Sequence, residues 1–525
     1  MPSEASSGPP RKWCSSSTPL IMTLKRSAMH RAALVALLTV PLALPLKAQN
    51  AASVPPANCR GTVPAPFARV IPPTVVVRIM AEGEFPDADI AAARALIQLT
   101  RDALAERGPA ALQSRISVAR AVAPSLSAVA DMRGLDSSST LLTAIVLRTR
   151  DSVTILWRLR TVGDRVAQAR SARVIVPVQE LSRGALVLAE LAARATGAPS
   201  LGAPPDGLPS ADAGNTYVVG LAEALNPSPS SLTRARNLLV RATTLAPDRA
   251  EVWRWRARVE LLLIDLNTSS DATGLRGLRA SALASAARAA QLAPRSNGAL
   301  VALAEAYLGS GDREKAAAVL ADLATRDANN PAMQRVSALL HRMRGNDVRA
   351  LEQLRAAVGR DPRDASLLVD LASLARLRGD AVLACHSLNA AVVADAELAS
   401  SYALRALVRA GLGELREAWA DAEIATRLGH PEWGERAAAV LDVKYAERSN
   451  AVNRLRSLGG TSATPSNYLD ALLLAQASAA LATPAVPARV ASGLTCKSPL
   501  RPMLLRDLKV VGVTVSDSCA PAAKT

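Results

Sequence analysis

Four glycines recur at one interval: Gly311, Gly345, Gly379 and Gly413 each follow the last by 34 residues. Four alanines keep step with them, Ala316, Ala350, Ala384 and Ala418. A period of 34 is that of a helix–turn–helix unit, which cannot bury its apolar stripe alone and must stack on copies of itself. A chain under that constraint folds as a solenoid and offers surface more readily than an enclosed cleft. Of 525 residues, 50% are hydrophobic but only 2% aromatic. Ala and Leu therefore carry the core, and small residues let helices approach closely.

Counted from Asn297, one unit places Leu300, Leu303, Ala304, Tyr307, Ala316 and Leu320 at positions 4, 7, 8, 11, 20 and 24. The next, from Pro331, supplies Ala338, Ala350, Leu354, Ala357 and Pro362. The third, from Ala365, supplies Leu368, Leu371, Ala372, Ala384, Leu388 and Ala391. The fourth, from Ala399, supplies Tyr402, Ala406, Ala418, Ala422 and Ala425. Two earlier units carry Ala235, Leu239, Ala242 and Pro247, then Trp253, Ala257, Ala282, Ala286, Ala289 and Pro294, with an insertion near Asn267 to Gly277. Glu432 to Leu455 reads as a capping helix pair. Small residues at positions 8 and 20, a bulky one at 24 and Pro at 32 resemble the tetratricopeptide family. The resemblance implies a mostly α fold, a solenoid of about six units plus cap over 214–455. An irregular bundle with accidental periodicity is the alternative.

In that family positions 2, 5, 9 and 12 of each unit face a concave groove. By that rule Arg254, Arg258, Arg335, Arg342, Arg376 and Glu305 line it, on apolar ground from Val301, Leu339, Val369 and Leu407. Such a groove suits an extended or helical peptide with acidic groups. The other reading is that these arginines are solvated or paired with neighbours. The Lys and Asn that clamp a terminal carboxylate in some family members find no Asn here. Trp255 reads either as an exposed anchor or as buried against the insertion.

Lys25, Arg26 and Arg31 precede an apolar stretch from Ala32 to Leu46 that ends in small residues, the pattern of an export signal over 1–49, with translation starting at Met22 or Met29. An uncleaved anchor in the inner membrane is the alternative. Residues 50–73 and 198–213 are Pro-rich and read as linkers. In an oxidising compartment Cys496 and Cys519, flanking a strand-like Leu508 to Val515, are a plausible disulfide closing the tail over 456–525. Cys385 reads as a small buried hydrophobe.

Between the linkers, 74–197 reads as a compact α/β domain. A strand at Val75 to Met80 is followed by a helix from Asp87 to Arg107 stopped by Gly108, a strand from Ile116 to Val122 and a short helix from Ser125 to Met132. Three β-runs follow: Thr140 to Arg148, Val153 to Arg160 and Arg165 to Val176. A helix from Val178 to Thr196 closes it. The order of elements, with Leu141 to Arg148, Asp151 to Ile155 and the Thr161-Val162-Gly163-Asp164 turn, resembles the amino-terminal domain of the TolB translocation protein. That family's Leu-Pro-Phe-like strand end is replaced by Ile79-Met80-Ala81-Glu82.

The formal net charge is +17, from 62 basic and 45 acidic residues. Six basic and one acidic residue lie before Asn50, so the remainder carries 56 against 44, or +12. The cations are spread among Ala and Gly without the aromatic interleaving of a base-stacking surface, so no nucleic acid is expected. Peripheral contact with anionic lipid and the oligomeric state are left open. No phosphate loop, His-Glu-x-x-His or Gly-x-Ser-x-Gly motif occurs, and no cofactor or metal site is expected. His386, beside Cys385, is about 100° away from it on a helix and makes no nucleophile–base pair. The chain reads as an exported, non-catalytic adaptor holding a protein or peptide partner. Alternatives are a structural or regulatory subunit of an envelope assembly, using the convex face and the α/β domain, and an accessory part of an enzyme.

Overall fold

The computed structural model describes residues 74–81, 86–108, 112, 115–118, 138–162, 169–225, 229–266, 272–428, 431–457, 468–479 and 500–513. All lie within one compact unit spanning 58–525. The signal-like segment, the short helix at 125–132, His430, Cys496 and Cys519 fall outside them.

The α/β domain opens with β1 (Val75–Ala81), α1 (Pro86–Arg107) and β2 (Ile116–Val118), followed by β3 (Thr140–Arg148), β4 (Ser152–Thr161) and β5 (Arg170–Pro177). The sheet order is β2-β1-β3-β4-β5. β1 pairs in parallel with both β2 and β3, while β3, β4 and β5 form an antiparallel meander. Val75, Val77 and Ile79 on one face of β1 are wholly buried, sharing a core with Ala92 and Leu96 of α1. A 3₁₀ turn (Val178–Glu180) leads into α2 (Leu181–Ala195), which packs on the sheet through Leu188 and Ala189.

The solenoid runs as antiparallel pairs: α3 (Ala211–Ala224) with α4 (Pro229–Leu245), α5 (Ala250–Leu266) with α6 (Ala272–Leu292), and α7 (Asn297–Ser310) with α8 (Arg313–Asp327). Next come α9 (Pro331–Met343) with α10 (Asp347–Arg360), α11 (Ala365–Leu377) with α12 (Ala381–Ala394), and α13 (Ala399–Gly411) with α14 (Leu415–Arg427). The pair α15 (Pro431–Tyr445) and α16 (Arg448–Ser457) follows, then α17 (Tyr468–Ala479) and α18 (Arg501–Val510). Residues 272–277, read as insertion, are the first turns of α6.

The glycine period has a local cause. Gly311, Gly345, Gly379 and Gly413 all adopt left-handed φ between 78° and 90°, a region that costs a side-chain-bearing residue about 1 kcal/mol or more. At Gly311 the N–H bonds to the Leu308 carbonyl and the next N–H to that of Tyr307, closing the first helix as a Schellman turn. The residue after the glycine then starts the second helix. Asp312, Asn346 and Asp380 each accept a backbone N–H three residues on, at 3.1, 3.1 and 2.9 Å. Glu414, one methylene longer, makes no such bond. The eight alanines at positions 8 and 20, Ala304, Ala316, Ala338, Ala350, Ala372, Ala384, Ala406 and Ala418, are all at most 2% exposed.

The 198–213 connection is packed, not loose. Leu201 and Leu208 are buried. Glu190 accepts the Leu201 N–H at 2.7 Å, and Leu208 N–H reaches Gln179 O at 2.9 Å. The Ser210 hydroxyl caps α3, so the array starts at Ala211, three residues before the expected boundary at 214. Gly214 is obligatory there: a Cβ would sit 2.6 Å from Gln179 Cα. One apolar core runs unbroken from β1 through α1 to Leu239 of α4 and Trp255 of α5.

Two further expectations change, and the open alternative for Trp255 is decided in favour of burial. Leu508 to Val510 is helical, and Gly512, at φ 81°, ends α18 rather than continuing a strand. Met503, Leu504 and Leu508 face the array and are buried; the β-branched run was misleading because tertiary burial overrides propensity. Trp255 is 3% exposed, whereas Trp253 is only partly buried and donates its Nε1–H to Pro247 O. Cys385 is buried as expected, but it is disulfide-bonded, not a free hydrophobe, its partner lying outside the described residues.

These caps set a stability test. Asn346→Ala should lower the urea midpoint by an amount equivalent to about 1 kcal/mol, while Glu414→Asp should raise it by a smaller one. A null effect of Asn346→Ala would remove the cap from the account of the turn.

Candidate partner-binding groove

The first helix of each pair offers its concave face at the positions expected from the repeat. Arg254 and Arg258 lie on α5, Glu305 on α7, Arg335 and Arg342 on α9, and Arg376 on α11. All six lie on first helices of their pairs, and those helices are not free of neighbours. Two helices of the same chain lie against them.

The first occupant is the end of α1. Asp102 pairs with Arg254 and accepts the Trp255 Nε1–H at 3.4 Å. Glu106 accepts the backbone N–H groups of Asn297 and Gly298 at 3.1 and 2.6 Å and the Ser296 hydroxyl at 2.9 Å. A carboxylate there answers the orphan donors and positive end of α7. Arg101 reaches Asp364, the cap of α11, at 2.7 Å. Burial works against the Arg254 charge, but Asp102 and Glu106 outweigh it and raise its pKa. Arg258, more exposed, lies over the Trp255 ring, 5.3 Å from its centroid.

The second occupant is α18. Asp507, 2% exposed, pairs with Arg342. Arg506 bonds to Asp347 at 3.0 Å and to the Arg342 carbonyl at 3.1 Å. Leu504 and Leu508 enter a cluster with Leu377, Leu407 and Leu441, and Leu500 packs on the cluster of α7, α8 and α9. Between these occupants Arg335 bonds to Asp370 of α11 at 2.6 Å. Asp370, with burial opposing and Glu305 assisting, raises the Arg335 pKa.

Arg376 differs from its neighbours. It occupies the position of Arg342 one unit later, yet its Nε and Nη2 have no hydrogen-bond partner. Burial lowers its pKa to about 10, with Asp507 opposing the shift; it stays charged at neutral pH. The groove period located the arginines, but nothing in it marked Asp102, Glu106 or Asp507. Their only sequence signal is the i, i+4 spacing of Asp102 and Glu106 on one face of a helix.

A larger concavity of about 860 Å³ lies between α1, the β3–β4 turn and α3, lined by Asp87, Arg94, Arg148, Arg150, Glu223 and Arg234 among others. Its charges are mixed, and Arg234 is already held by Glu223 at 2.9 Å. No group of three or more metal-ligating side chains occurs among the described residues. No helix among them is long and apolar enough to cross a membrane.

Antiparallel pairs at a 34-residue period, with left-handed glycines inside the pairs and alanines at the crossings, define a tetratricopeptide-type solenoid. Proteins of this class are interaction scaffolds. No known family profile matches the chain, and no curated protein does. Among solved structures it is similar to the human IFIT1 dimer with m7Gppp-AAAA, at 12% identity and TM-score 0.40, over 63% of this chain and 77% of that one. A tetratricopeptide repeat protein from Parabacteroides merdae matches at 18% and 0.31, over 47% of this chain and 89% of its own. The Cut9–Hcn1 hetero-tetramer of the APC/C matches at 13% and 0.33, over 63% and 74%. At this distance the likeness carries nothing about what the chain binds.

The docking of α1 is testable through its central pair. Asp102→Asn should strand the half-buried Arg254 and lower stability by about 3 kcal/mol at most, while the double change with Arg254→Met should recover part of it. Additive losses in urea denaturation would mean the two side chains do not interact.

Proposed function

We propose that the chain is an exported, non-catalytic adaptor whose concave groove takes an acidic amphipathic helix or peptide of a protein partner. The observation that carries this reading is α18. It is a helix on the groove face, held by an aspartate on Arg342 and by leucines on the apolar ground between arginines. The groove chemistry is thus stated by what the chain itself lays there: one buried carboxylate and a leucine stripe. A partner helix with that pattern would compete with α18, and the exchange lets the chain bind without exposing the apolar face when alone. Export is supported by the basic and apolar pattern before Asn50 and by the disulfide at Cys385, a bond of oxidising compartments.

The groove reading predicts that a labelled peptide of residues 500–513 binds a chain ending at residue 499. It should bind the full chain roughly tenfold or more weakly, since a tethered occupant competes at high effective concentration. Arg342→Gln in the shortened chain should weaken binding about tenfold. Fluorescence anisotropy reads all three. Absence of binding to the shortened, folded chain would sink the reading. Export is checked separately, by fusing residues 1–60 to a reporter active only outside the cytoplasm.

A second reading rests on the sheet. Among the described residues β5 is an edge strand, paired with β4 alone, and Ile175 on it is 54% exposed. An edge of this kind accepts an extended segment by strand addition, which would make the α/β domain the contact of an envelope assembly.

A further inference from the structure

We propose that a cavity at the end of α11, beside the surface occupied by α18 and sharing Leu407 and Leu441 with it, binds a short aliphatic carboxylate. The cavity measures about 180 Å³. Aliphatic side chains supply its walls: Leu407 and Val408 of α13, and Val440 and Leu441 of α15. Arg376 enters from α11 and Lys444 from α15. An apolar chamber with cations on its rim is matched by a ligand with an apolar body and one anionic head.

The charge on Arg376 identifies the head group. Its Nε and Nη2 are shut off from solvent and donate to nothing, although a guanidinium presents five donors in a fixed fork. A buried, unanswered charge is among the costliest features a fold can keep. One unit earlier the same position holds Arg342, and there the chain provides a carboxylate, Asp507. Asp507 pairs with Arg342 and reaches Arg376 only through space. Among the described residues, Arg376 thus has two buried donors and no carboxylate within hydrogen-bond reach of them. Lys444, exposed above the Tyr445 ring at 5.1 Å, adds a second cation at the mouth.

Three first helices end near the cavity, and their negative ends oppose an anion. That opposition is partly removed at Ala410, a lining residue whose carbonyl accepts from the Tyr445 hydroxyl at 3.0 Å and from the Gly413 N–H at 3.1 Å. A carboxylate suits the chamber better than a phosphate. Only two cations are present, and most of the wall is hydrocarbon that would leave phosphate oxygens without donors.

The test uses the full chain and thermal unfolding with acetate, butyrate, valerate and hexanoate, at matched ionic strength. Each acid is compared with its neutral amide. A saturable rise in Tm is expected with valerate and not with valeramide, because only a ligand of the folded state stabilises it. Arg376→Met should abolish the valerate response, a loss in apparent affinity of about tenfold to a hundredfold, while leaving the unliganded Tm equal or higher. If Arg376 served only the helix end, the same change would lower Tm and leave no ligand response to lose. Gly411→Leu is the second variant. A Cβ at Gly411 meets nothing within 4 Å, so the new side chain fills the cavity without strain and should also abolish the response. Equal shifts with acid and amide, or a valerate response that survives both changes, would overturn the proposal. So would a response to the 500–513 peptide alone, which would make the cavity a side-chain subsite of the groove.

Discussion

Everything in the array depends on two helices crossing at alanine. The eight alanines at the crossing positions are buried almost completely, and their size sets how closely the two helix axes approach. A larger residue at any of them would push the pair apart, at a typical cost of 1–3 kcal/mol for overpacking. Close crossing in turn demands a short, sharp turn between the helices. Glycine with positive φ, followed by a capping Asp or Asn, meets that demand in two residues. The sequence period and the packing geometry are therefore the same fact seen at two scales.

Stacking such pairs leaves one face of each first helix without a neighbour. In this chain that face is rich in arginine, and arginine over apolar ground is unstable as an open surface in both respects. The chain answers with two of its own helices. α1 brings Asp102 and Glu106 to Arg254 and to the start of α7. α18 brings Asp507 to Arg342 and leucines to the ground beside it. The α/β domain is tied to the solenoid by the same acid–arginine chemistry and by a core that continues from the sheet into the first helix pairs. Arg376 borders this arrangement, yet its Nε and Nη2 receive no acceptor from the described residues, unlike Arg342 one unit earlier.

Arg342 and Arg376 were legible because each sits three residues before a glycine of the repeat. The partners of the groove arginines were not. Asp102 is more than a hundred residues away in sequence from Arg254, and no periodicity connects them. α18 was misread because Val510, Val511 and Val513 favour a strand when taken alone. The Gly512 turn and the burial of Met503, Leu504 and Leu508 decide for a helix. The sequence left Trp255 open between exposure and burial for a similar reason. Helical spacing says that it cannot share a face with Trp253, but only the arrival of α1 says which face is covered.

Alone, the sequence determined the repeat: where each helix pair turns and which residues meet at the crossings. These follow from local backbone preference and from a period repeated four times over, which no distant contact needs to supply. Tertiary structure alone decided what lies on the concave side. That depends on long-range pairing of single charges and on the docking of α1 and α18, interactions whose partners leave no mark on one another's local sequence.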